Sequence, residues 1–388
     1  MSSDLTSNAM SDLDIYLTDR DGTKAAASKW ANSPEDWAEI RRKCSYVRIK
    51  WYFPMLESLG PVPEGLTKPL GTPSADMNLF EKLPSDVMNS ILCLLDLESF
   101  LSFRNVNAKA HSLTENVLDC KEVIVHGSAA VVNLARTGLS GHFTIGEIHL
   151  ALTSPKCGIC EGYGSLLFLP TCTRTCHECL RTSPRMAMTT TEEILPFYSR
   201  FFMYRGHGNR RHLIKSLPKT SMAAMKVRDP LRPRRMLKSV LALPVDDLFF
   251  YSSELGLDMS DPVEFDPVRF LLDKEWLQYR AAATIHFPFF NTATGEVEQG
   301  RSCRGCQEAH QNGLVPTDYE RDRCYSHKEF QDHFETCEHA QRIWLSRALP
   351  GREAWFAANG GMLWGIQERA DYCRRFEAQV PIANNEGF

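Results

Sequence analysis

Cysteine is the residue whose spacing in this sequence points most directly to chemistry. The 13 cysteines are unevenly spread, with five between Cys157 and Cys179 and four between Cys303 and Cys337. In a reducing compartment, clustered cysteines indicate metal ligands before disulfides. Thiolate and imidazole groups are ligands that zinc prefers, and a set of four closes a structural site. The sequence therefore predicts two structural zinc ions.

The first stretch contains two C-x2-C pairs separated by fifteen residues. Two sulfurs on one tight turn occupy two corners of a tetrahedron, so two such turns complete a site. The predicted ligands are Cys157, Cys160, Cys176 and Cys179. Cys172 is an alternative to Cys179 as the fourth ligand. Between the pairs, residues 163–169 have strand and turn character, and a helix is expected from Leu180 onward, as in a treble clef.

The second stretch combines one C-x2-C pair with a histidine and a cysteine four residues apart. The predicted ligands are Cys303, Cys306, His333 and Cys337. Residues i and i+4 lie on one face of a helix, so we expect a helix over 328–342 to present the last two. Tyr325 and Phe330 stand where a zinc finger has its small core. However, the 26 residues between Cys306 and His333 exceed the spacing of a usual zinc finger. Alternative ligands here are Cys324, His327 and His339.

Neither cluster has the layout of a catalytic zinc site. The sequence contains no H-E-x-x-H and no H-x-E followed by P-C-x-x-C, which are the patterns of zinc proteases and deaminases. The G-x-S-x-G, P-loop and G-x-G-x-x-G patterns are also absent from it. We therefore expect a protein that is not an enzyme.

A compact helical segment over 77–120 follows a linker rich in proline and glycine. The run 83–86, Leu-Pro-Ser-Asp, predicts a helix start, because proline fits the first turn and acids suit the positive end of the helix dipole. The apolar residues that then share one face are Val87, Ile91, Leu94 and Leu95. A break over 96–99, a second helix from Phe100 and a third over 106–113 are expected. About 40 residues enclose too little interior to be stable alone, so the apolar face predicts a partner.

This segment resembles the F-box. The pattern that carries the resemblance is Leu83-Pro84, Val87, Ile91-Leu92 and Leu95, then Leu101, Arg104, Val106-Asn107 and Leu113. In that family the helix faces bind a Skp-type adaptor, which bridges to a cullin. The resemblance implies adaptor contacts by Leu83, Pro84, Val87, Ile91, Leu92 and Leu95. Ala110 stands where the family usually has tryptophan or another bulky residue.

The resemblance extends, over roughly residues 77–345, to a group of fungal F-box proteins of unknown substrate. Besides both cysteine clusters, it is carried by Leu169-Pro170-x-Cys172, Ile214-Lys215-Ser216-Leu217-Pro218, Phe287-Pro288 and Gly295-x-Val297-Glu298-x-Gly300. It implies the substrate-receptor subunit of a Skp–cullin–F-box ubiquitin ligase, whose zinc-stabilised body recruits a protein substrate of unknown identity.

Together these features predict an α+β fold that is mainly α. A three-helix F-box precedes a zinc-stabilised α+β body with small irregular strands. The expected organisation is a tail with a helix and a Pro/Gly linker over 1–76, the F-box over 77–120, the first cluster with a basic stretch over 121–235, and the second cluster with C-terminal helices over 236–388. In the tail, the run 33–36, Ser-Pro-Glu-Asp, predicts a helix start that is followed by apolar residues at helical spacing, from Trp37 to Val47 and Trp51.

The distribution of charged and apolar residues gives evidence on two further kinds of partner, nucleic acids and membranes. The net charge of −4 provides no global attraction for nucleic acid, and no apolar run is long enough to span a membrane. Arg181 to Lys238 contains fourteen Lys/Arg against three Asp/Glu, which indicates either a recognition patch or a solvated face paired with the acidic stretch Asp246 to Asp266. A zinc-finger-like nucleic-acid-binding protein is the alternative function, which the acidic residues within 328–342 disfavour. The polar, acidic start of the chain predicts the cytoplasm or the nucleus.

Overall fold

The computed structural model describes residues 30, 33–48, 66, 80–186, 189–190, 223–225, 240–242, 280, 283–314 and 319–346. These residues are mainly helical with a few short strands, as the sequence predicts. The chain divides into two compact units. The terminal unit comprises Met1–Arg48 and Arg301–Gly361, and the central unit comprises Ile49–Gly300 and Met362–Phe388. The acidic stretch, the 214–218 motif, Trp51 and most of the basic stretch lie outside the described residues.

The first described helix, α1 (Pro34–Cys44), begins where its capping residues dictate. Ser33 Oγ accepts a hydrogen bond from the Asp36 N–H at 3.2 Å, and the Asp36 carboxylate accepts one from the Ser33 N–H at 3.0 Å. This capping box satisfies two N–H groups that a helix start leaves without partners. The chain then changes to strand β1 (Ser45–Val47), so Val47, which the sequence pattern placed on the helix face, lies in a strand.

From residue 80 onward, the central unit has a 3-10 turn at Phe80–Lys82 and then a series of short helices. They are α2 (Ser85–Leu94), α3 (Leu97–Arg104), α4 (Ala108–Asn116), α5 (Leu118–His126), α6 (Ser128–Thr137) and α7 (Ile145–Thr153). The break expected over 96–99 is shorter than predicted, because Asp96 caps α3: its Oδ1 accepts the Ser99 N–H at 2.8 Å. A side-chain cap of this kind stabilises a helix start by about 1 kcal/mol.

The inner faces of these helices form the core of the central unit. Met88 and Leu92 on α2 and Leu97 and Phe100 on α3 are at most 5% exposed. Ala110 on α4 is fully buried, so the small side chain at this position belongs to the interior. The region is helical as predicted, and the helices continue without interruption beyond it.

Short antiparallel strands complete the central unit. Strand β2 (Leu166–Phe168) lies between β3 (Thr173–Thr175) and β7 (Thr284–His286), and α8 (His177–Thr182) follows β3. A second sheet has the order β4-β6-β5, with β4 (Thr189–Thr190), β5 (Ala223–Met225) and β6 (Val240–Ala242), and β8 (Phe289–Asn291) pairs with β9 (Glu296–Glu298). All three residues of β2 are buried, so this strand anchors the first cysteine cluster to the core.

The terminal unit joins the N-terminal elements to residues after 300. Strand β10 (Arg301–Cys303) pairs antiparallel with β1 and is followed by α9 (Arg304–Gln311), α10 (Tyr319–Asp322), α11 (His327–Thr336) and α12 (Glu338–Leu345). The single helix predicted over 328–342 is wrong, because Cys337 has extended backbone (φ −90°, ψ 95°) and separates α11 from α12. Among the helices that the structure describes, none is both long enough and apolar enough to cross a bilayer.

Two candidate metal sites and an exposed helix face

The first candidate metal site lies in the central unit. The Sγ atoms of Cys157, Cys160, Cys176 and Cys179 all lie within 4.8 Å of one another. Cys160 Sγ and Cys176 Sγ are 3.7 Å apart. A tetrahedral site with Zn–S bonds of about 2.3 Å places its sulfurs about 3.8 Å apart, so this group can hold a metal ion.

The geometry favours Cys179 over Cys172, which the spacing had left as an alternative. Cys172 is not part of the group of four. Its thiol is buried, and burial raises its pKa to about 12. Burial raises the pKa of Cys179 to about 12 as well, so the sulfur positions, and not the thiol pKa, favour Cys179 as the fourth ligand.

Two turns present the four sulfurs. In the first, the Glu161 N–H donates to the Cys157 carbonyl at 3.0 Å, and Glu161 adopts a left-handed φ of 61°. In the second, Cys176 caps α8, and its Sγ accepts the Cys179 N–H at 3.4 Å. Because Cys176 is the cap, α8 begins at His177 and not at Leu180 as predicted. An N–H group at a helix start stabilises thiolate charge, which is what a metal ligand requires.

The thiols of this group differ in the direction of their pKa shifts. The pKa of Cys157 is lowered to about 4, chiefly because the Cys176 thiol donates a hydrogen bond to its thiolate. The pKa of Cys176 is raised, because it is the donor of that bond. Burial raises the pKa of Cys179 to about 12. A bound cation would stabilise thiolates on all four residues together.

Arg174, a residue that the sequence patterns do not single out, fixes the segment between the two turns. Its guanidinium is buried and donates to the carbonyl oxygens of Ala151 at 2.8 Å, Phe287 at 3.2 Å, Gly164 and Pro288. Burial lowers its pKa to about 10. A buried charge is tolerated only when its donors are satisfied, so Arg174 ties α7, the loop before β2 and the chain after β7 to β3. No local pattern marks such a residue.

The second candidate metal site lies in the terminal unit. Its ligand atoms, on Cys303, Cys306, His333 and Cys337, also lie within 4.8 Å of one another. Cys337 Sγ is 3.9 Å from Cys303 Sγ and 3.7 Å from Cys306 Sγ, and His333 Nε2 is 3.4 Å from Cys306 Sγ. Three thiols and one imidazole at these distances can hold a metal ion. The alternatives Cys324, His327 and His339 are outside this group.

The elements around this second group position each ligand. Cys303 caps α9, and its Sγ accepts the Cys306 N–H at 3.5 Å. The Cys337 N–H donates to the His333 carbonyl at 2.9 Å, which keeps these two residues one turn apart although α11 ends between them. The Tyr325 ring stacks on the His333 imidazole with centroids 4.4 Å apart, so the imidazole orientation is fixed. A Cβ at Gly305 would lie 2.3 Å from the Ala340 nitrogen, so only glycine allows α9 and α12 to approach this closely.

Aromatic residues surround the second group, and α1 contributes some of them. Ile40 and Cys44 are fully buried in the same cluster as the ligands Cys303, Cys306 and Cys337. Trp37 and Trp30 each make an edge-to-face contact with Phe334, at 6.0 Å and 5.7 Å between ring centroids. Lys43 Nζ donates to the Trp344 and Ser346 carbonyls, both at 2.9 Å, at the end of α12. Trp30 and helix α1 therefore contribute to this site's core.

In the terminal unit, the pKa values of two cysteine thiols and of one arginine are shifted. The pKa of Cys337 is lowered, first because Cys303 donates a hydrogen bond to its thiolate, while burial raises the pKa of Cys303. Nearby, burial lowers the pKa of Arg301, and the guanidinium groups of Arg41 and Arg304 lower it further. Thiolate charge and a group of arginines thus occur within one small unit.

An exposed apolar face is the third feature, and it lies on α2. Leu83 is 36% exposed, Val87 43%, Ile91 38% and Leu94 76%, and Pro84 is also exposed. The exposed helical residues follow the spacing i, i+4, i+7, so they form one stripe.

Two of the residues expected on that stripe lie elsewhere. Leu92 is 1% exposed and packs in the interior, and Leu95 is half-buried. The chain as it stands therefore does not present Leu92 to a partner. Leu94, which was outside the set of expected adaptor contacts, is the most exposed residue of the stripe.

Comparison with known families gives one result that fits this helical region. Residues 80–121 match the F-box domain family. Searches of curated proteins and of solved structures return no match. F-box domains bind Skp-type adaptors that link them to cullins, and F-box proteins are in general non-catalytic subunits. The chain thus carries an F-box domain at residues 80–121, which includes the exposed stripe on α2.

Proposed function

We propose that this protein is the substrate-receptor subunit of a Skp–cullin–F-box ubiquitin ligase. The observation that carries the proposal is the exposed apolar stripe of α2, which lies within the matched F-box domain. A contiguous apolar face on a folded unit typically marks a protein interaction site. The adaptor is the partner that the F-box domain implies.

The stripe provides enough apolar surface for a stable contact. Leu94 is 76% exposed, Val87 43% and Ile91 38%, so most of the free energy of burying Leu94, and a smaller share for Val87 and Ile91, is still available to a partner. A fully buried aliphatic side chain contributes about 1.5–3 kcal/mol. Leu83 and Pro84 extend the surface at the start of the helix. In the proposed interface, Leu94 takes the place that the resemblance assigned to Leu92.

The two cysteine groups have a structural role in this proposal. Each binds one zinc ion, which completes a four-ligand site with no open position for substrate chemistry. The zinc-stabilised body holds a protein substrate near the ligase, and tethering raises the effective concentration of its lysines. Because zinc thiolate sites need reduced cysteines, the proposal places the protein in the cytoplasm or the nucleus.

The test is co-purification of the full chain with a Skp-type adaptor. The double variant Val87→Asp with Ile91→Asp should abolish capture, because two carboxylates would have to be desolvated in the interface. Ser90→Asp is the control, since it adds one carboxylate to the same helix beside the stripe, and it should retain the adaptor. Circular dichroism and metal content should be unchanged in all three proteins. Adaptor binding that survives the double substitution would exclude the α2 stripe as the docking surface.

A further inference from the structure

Three aliphatic side chains outside the α2 stripe are exposed on the central unit. Leu118 is 65% exposed, Val125 50% and Leu150 68%. Leu118 and Val125 are seven residues apart on α5, so they lie on one face of that helix, and Leu150 lies on α7. Of these three residues, only Leu118 falls within the matched F-box range, 80–121. We refer to the three residues together as the α5/α7 patch.

The end of α2 meets both of the helices that carry the patch. Cys93 Sγ, near the end of α2, lies 3.7 Å from Asp119 Oδ2 on α5. His149 Nε2 on α7 lies 2.7 Å from Glu122 Oε2 and 3.9 Å from Asp119 Oδ1, both on α5. A Cβ at Gly146 on α7 would lie 3.2 Å from the Cys93 carbonyl oxygen, so α7 also packs closely on α2. The three helices therefore meet at one junction.

Three exposed leucines lie around this junction. Each is the chain neighbour of one of the contacting residues, so the two Cα atoms are about 3.8 Å apart. The neighbouring pairs are Cys93-Leu94, Leu118-Asp119 and His149-Leu150. Leu94 is also the most exposed residue of the α2 stripe. The stripe thus leads into the α5/α7 patch at its Leu94 end.

A complete protein interface is larger than the α2 stripe. A standard interface uses about 20–30 residues, or about 800 Å², on each partner. The stripe, together with Leu83 and Pro84, supplies five of them. An adaptor anchored on the stripe therefore has to contact neighbouring surface, and exposed aliphatic side chains are the part of that surface whose burial is favourable. The α5/α7 patch provides such side chains next to Leu94.

We propose that the adaptor interface extends beyond the F-box domain, from the α2 stripe across the α5/α7 patch to Leu150. The occupant of the patch is an apolar segment of the same Skp-type adaptor. This inference rests on the proposed function, since it adds residues outside 80–121 to that docking surface. The contact between His149 and Glu122 holds α7 on α5, so the patch is positioned before binding and less conformational entropy is lost there.

The experiment measures the dissociation constant of a purified Skp-type adaptor for the full chain by calorimetry. Leu150→Asp should weaken binding about tenfold or more, because a leucine leaves the interface and a carboxylate has to be desolvated in it. Leu150→Met should keep the affinity of the natural chain, since it retains an apolar side chain of similar volume. Ala135→Asp is the matched control, because it places one carboxylate at an exposed position of α6, outside the patch. Circular dichroism should be the same for all four proteins.

The inference is supported if, among these three variants, Leu150→Asp alone loses affinity. It is overturned, with the proposed function intact, if Leu150→Asp binds as tightly as the natural chain while Val87→Asp with Ile91→Asp abolishes binding. An equal loss in Ala135→Asp would also overturn it. So would dimers of the natural chain, seen by sedimentation velocity, that Leu150→Asp dissociates without changing adaptor affinity, because a second copy would then cover the patch. Absence of adaptor binding by the natural chain would overturn this inference and the proposed function together.

Discussion

The two candidate metal sites have similar residue sets in different surroundings. In the first, all four ligands lie within residues 157–179, and the segment between them is held by the polar contacts of Arg174. In the second, the ligands lie between 303 and 337, and their core is completed by α1. Ligand spacing therefore identifies both sites, but it does not show what supports them. The first site has polar support from one buried arginine and the second has apolar support from helix α1, so the two should respond differently to substitution.

The largest effect is expected for Cys306→Ser. Structural zinc contributes on the order of 10–16 kcal/mol in small domains, which is comparable to the whole stability of a typical domain. The terminal unit should therefore lose its fold, and the protein should be largely insoluble. Cys324→Ser is the matched control, because Cys324 lies in the same unit outside the ligand group. Soluble yield and zinc content measure both variants, and equal behaviour of the two would show that Cys306 is not a ligand.

Cys160→Ser should have the next largest effect on solubility and zinc content, and it tests the first site. Cys160 is the exposed member of that group, so its loss opens the site to solvent and should release one zinc per chain. Much of the protein should become insoluble, and the soluble remainder should keep the second zinc. Cys172→Ser should keep both zinc ions. If Cys172→Ser also loses a metal, the ligand set at the first site is different.

Arg174→Met tests the polar support of the first site. The substitution leaves four carbonyl groups without their donor, and each buried unsatisfied acceptor costs about 1–3 kcal/mol. A loss of about 3–5 kcal/mol in the free energy of unfolding is expected, measured by urea denaturation of the zinc-loaded protein. Lys156→Met, which removes an exposed cation in the same unit, should have little effect. A similar small effect for Arg174→Met would mean that these bonds do not stabilise the unit.

Trp37→Ala tests the apolar support of the second site. It removes an edge-to-face contact with Phe334 and part of the core shared with α1. Since Trp37 is half-buried, we expect a loss of about 2 kcal/mol, below the value for a fully buried tryptophan. Zinc should be released sooner from the second site than from the first during titration with a chelator. Equal release from the two sites would argue against support by α1.

Two glycine substitutions contrast the sites again, and the second of them has the smallest expected effect. In Gly305→Ala the new Cβ would meet the backbone of α12 at 2.3 Å, and overpacking against backbone costs about 1–3 kcal/mol. In Gly158→Ala it would meet the Thr173 methyl at 2.8 Å, and this side chain can move, so the cost should be under about 1 kcal/mol. Thermal unfolding would rank the pair, and the reverse order would contradict the close approach of α9 and α12.

The sequence predicts some of these features better than others, for physical reasons. The ligand groups follow from spacing, because a tight turn fixes the separation of two sulfurs. The helical character of 80–121 follows from the period of its apolar residues. The partner of α1 could not be predicted, since the pairing of Ser45 with Cys303 depends on contacts across the whole chain. Arg174, the early start of α3 and the inward position of Leu92 likewise depend on individual hydrogen bonds or on packing.

Counting zinc in the purified, folded chain tests the organisation around two metal centres most directly. Native mass spectrometry, supported by elemental analysis, should find two zinc ions per chain in the natural protein and also in the double variant Cys172→Ser with Cys324→Ser. Fewer than two ions in a well-folded natural chain, or a loss of metal in that double variant, would contradict the assignment of the eight ligands.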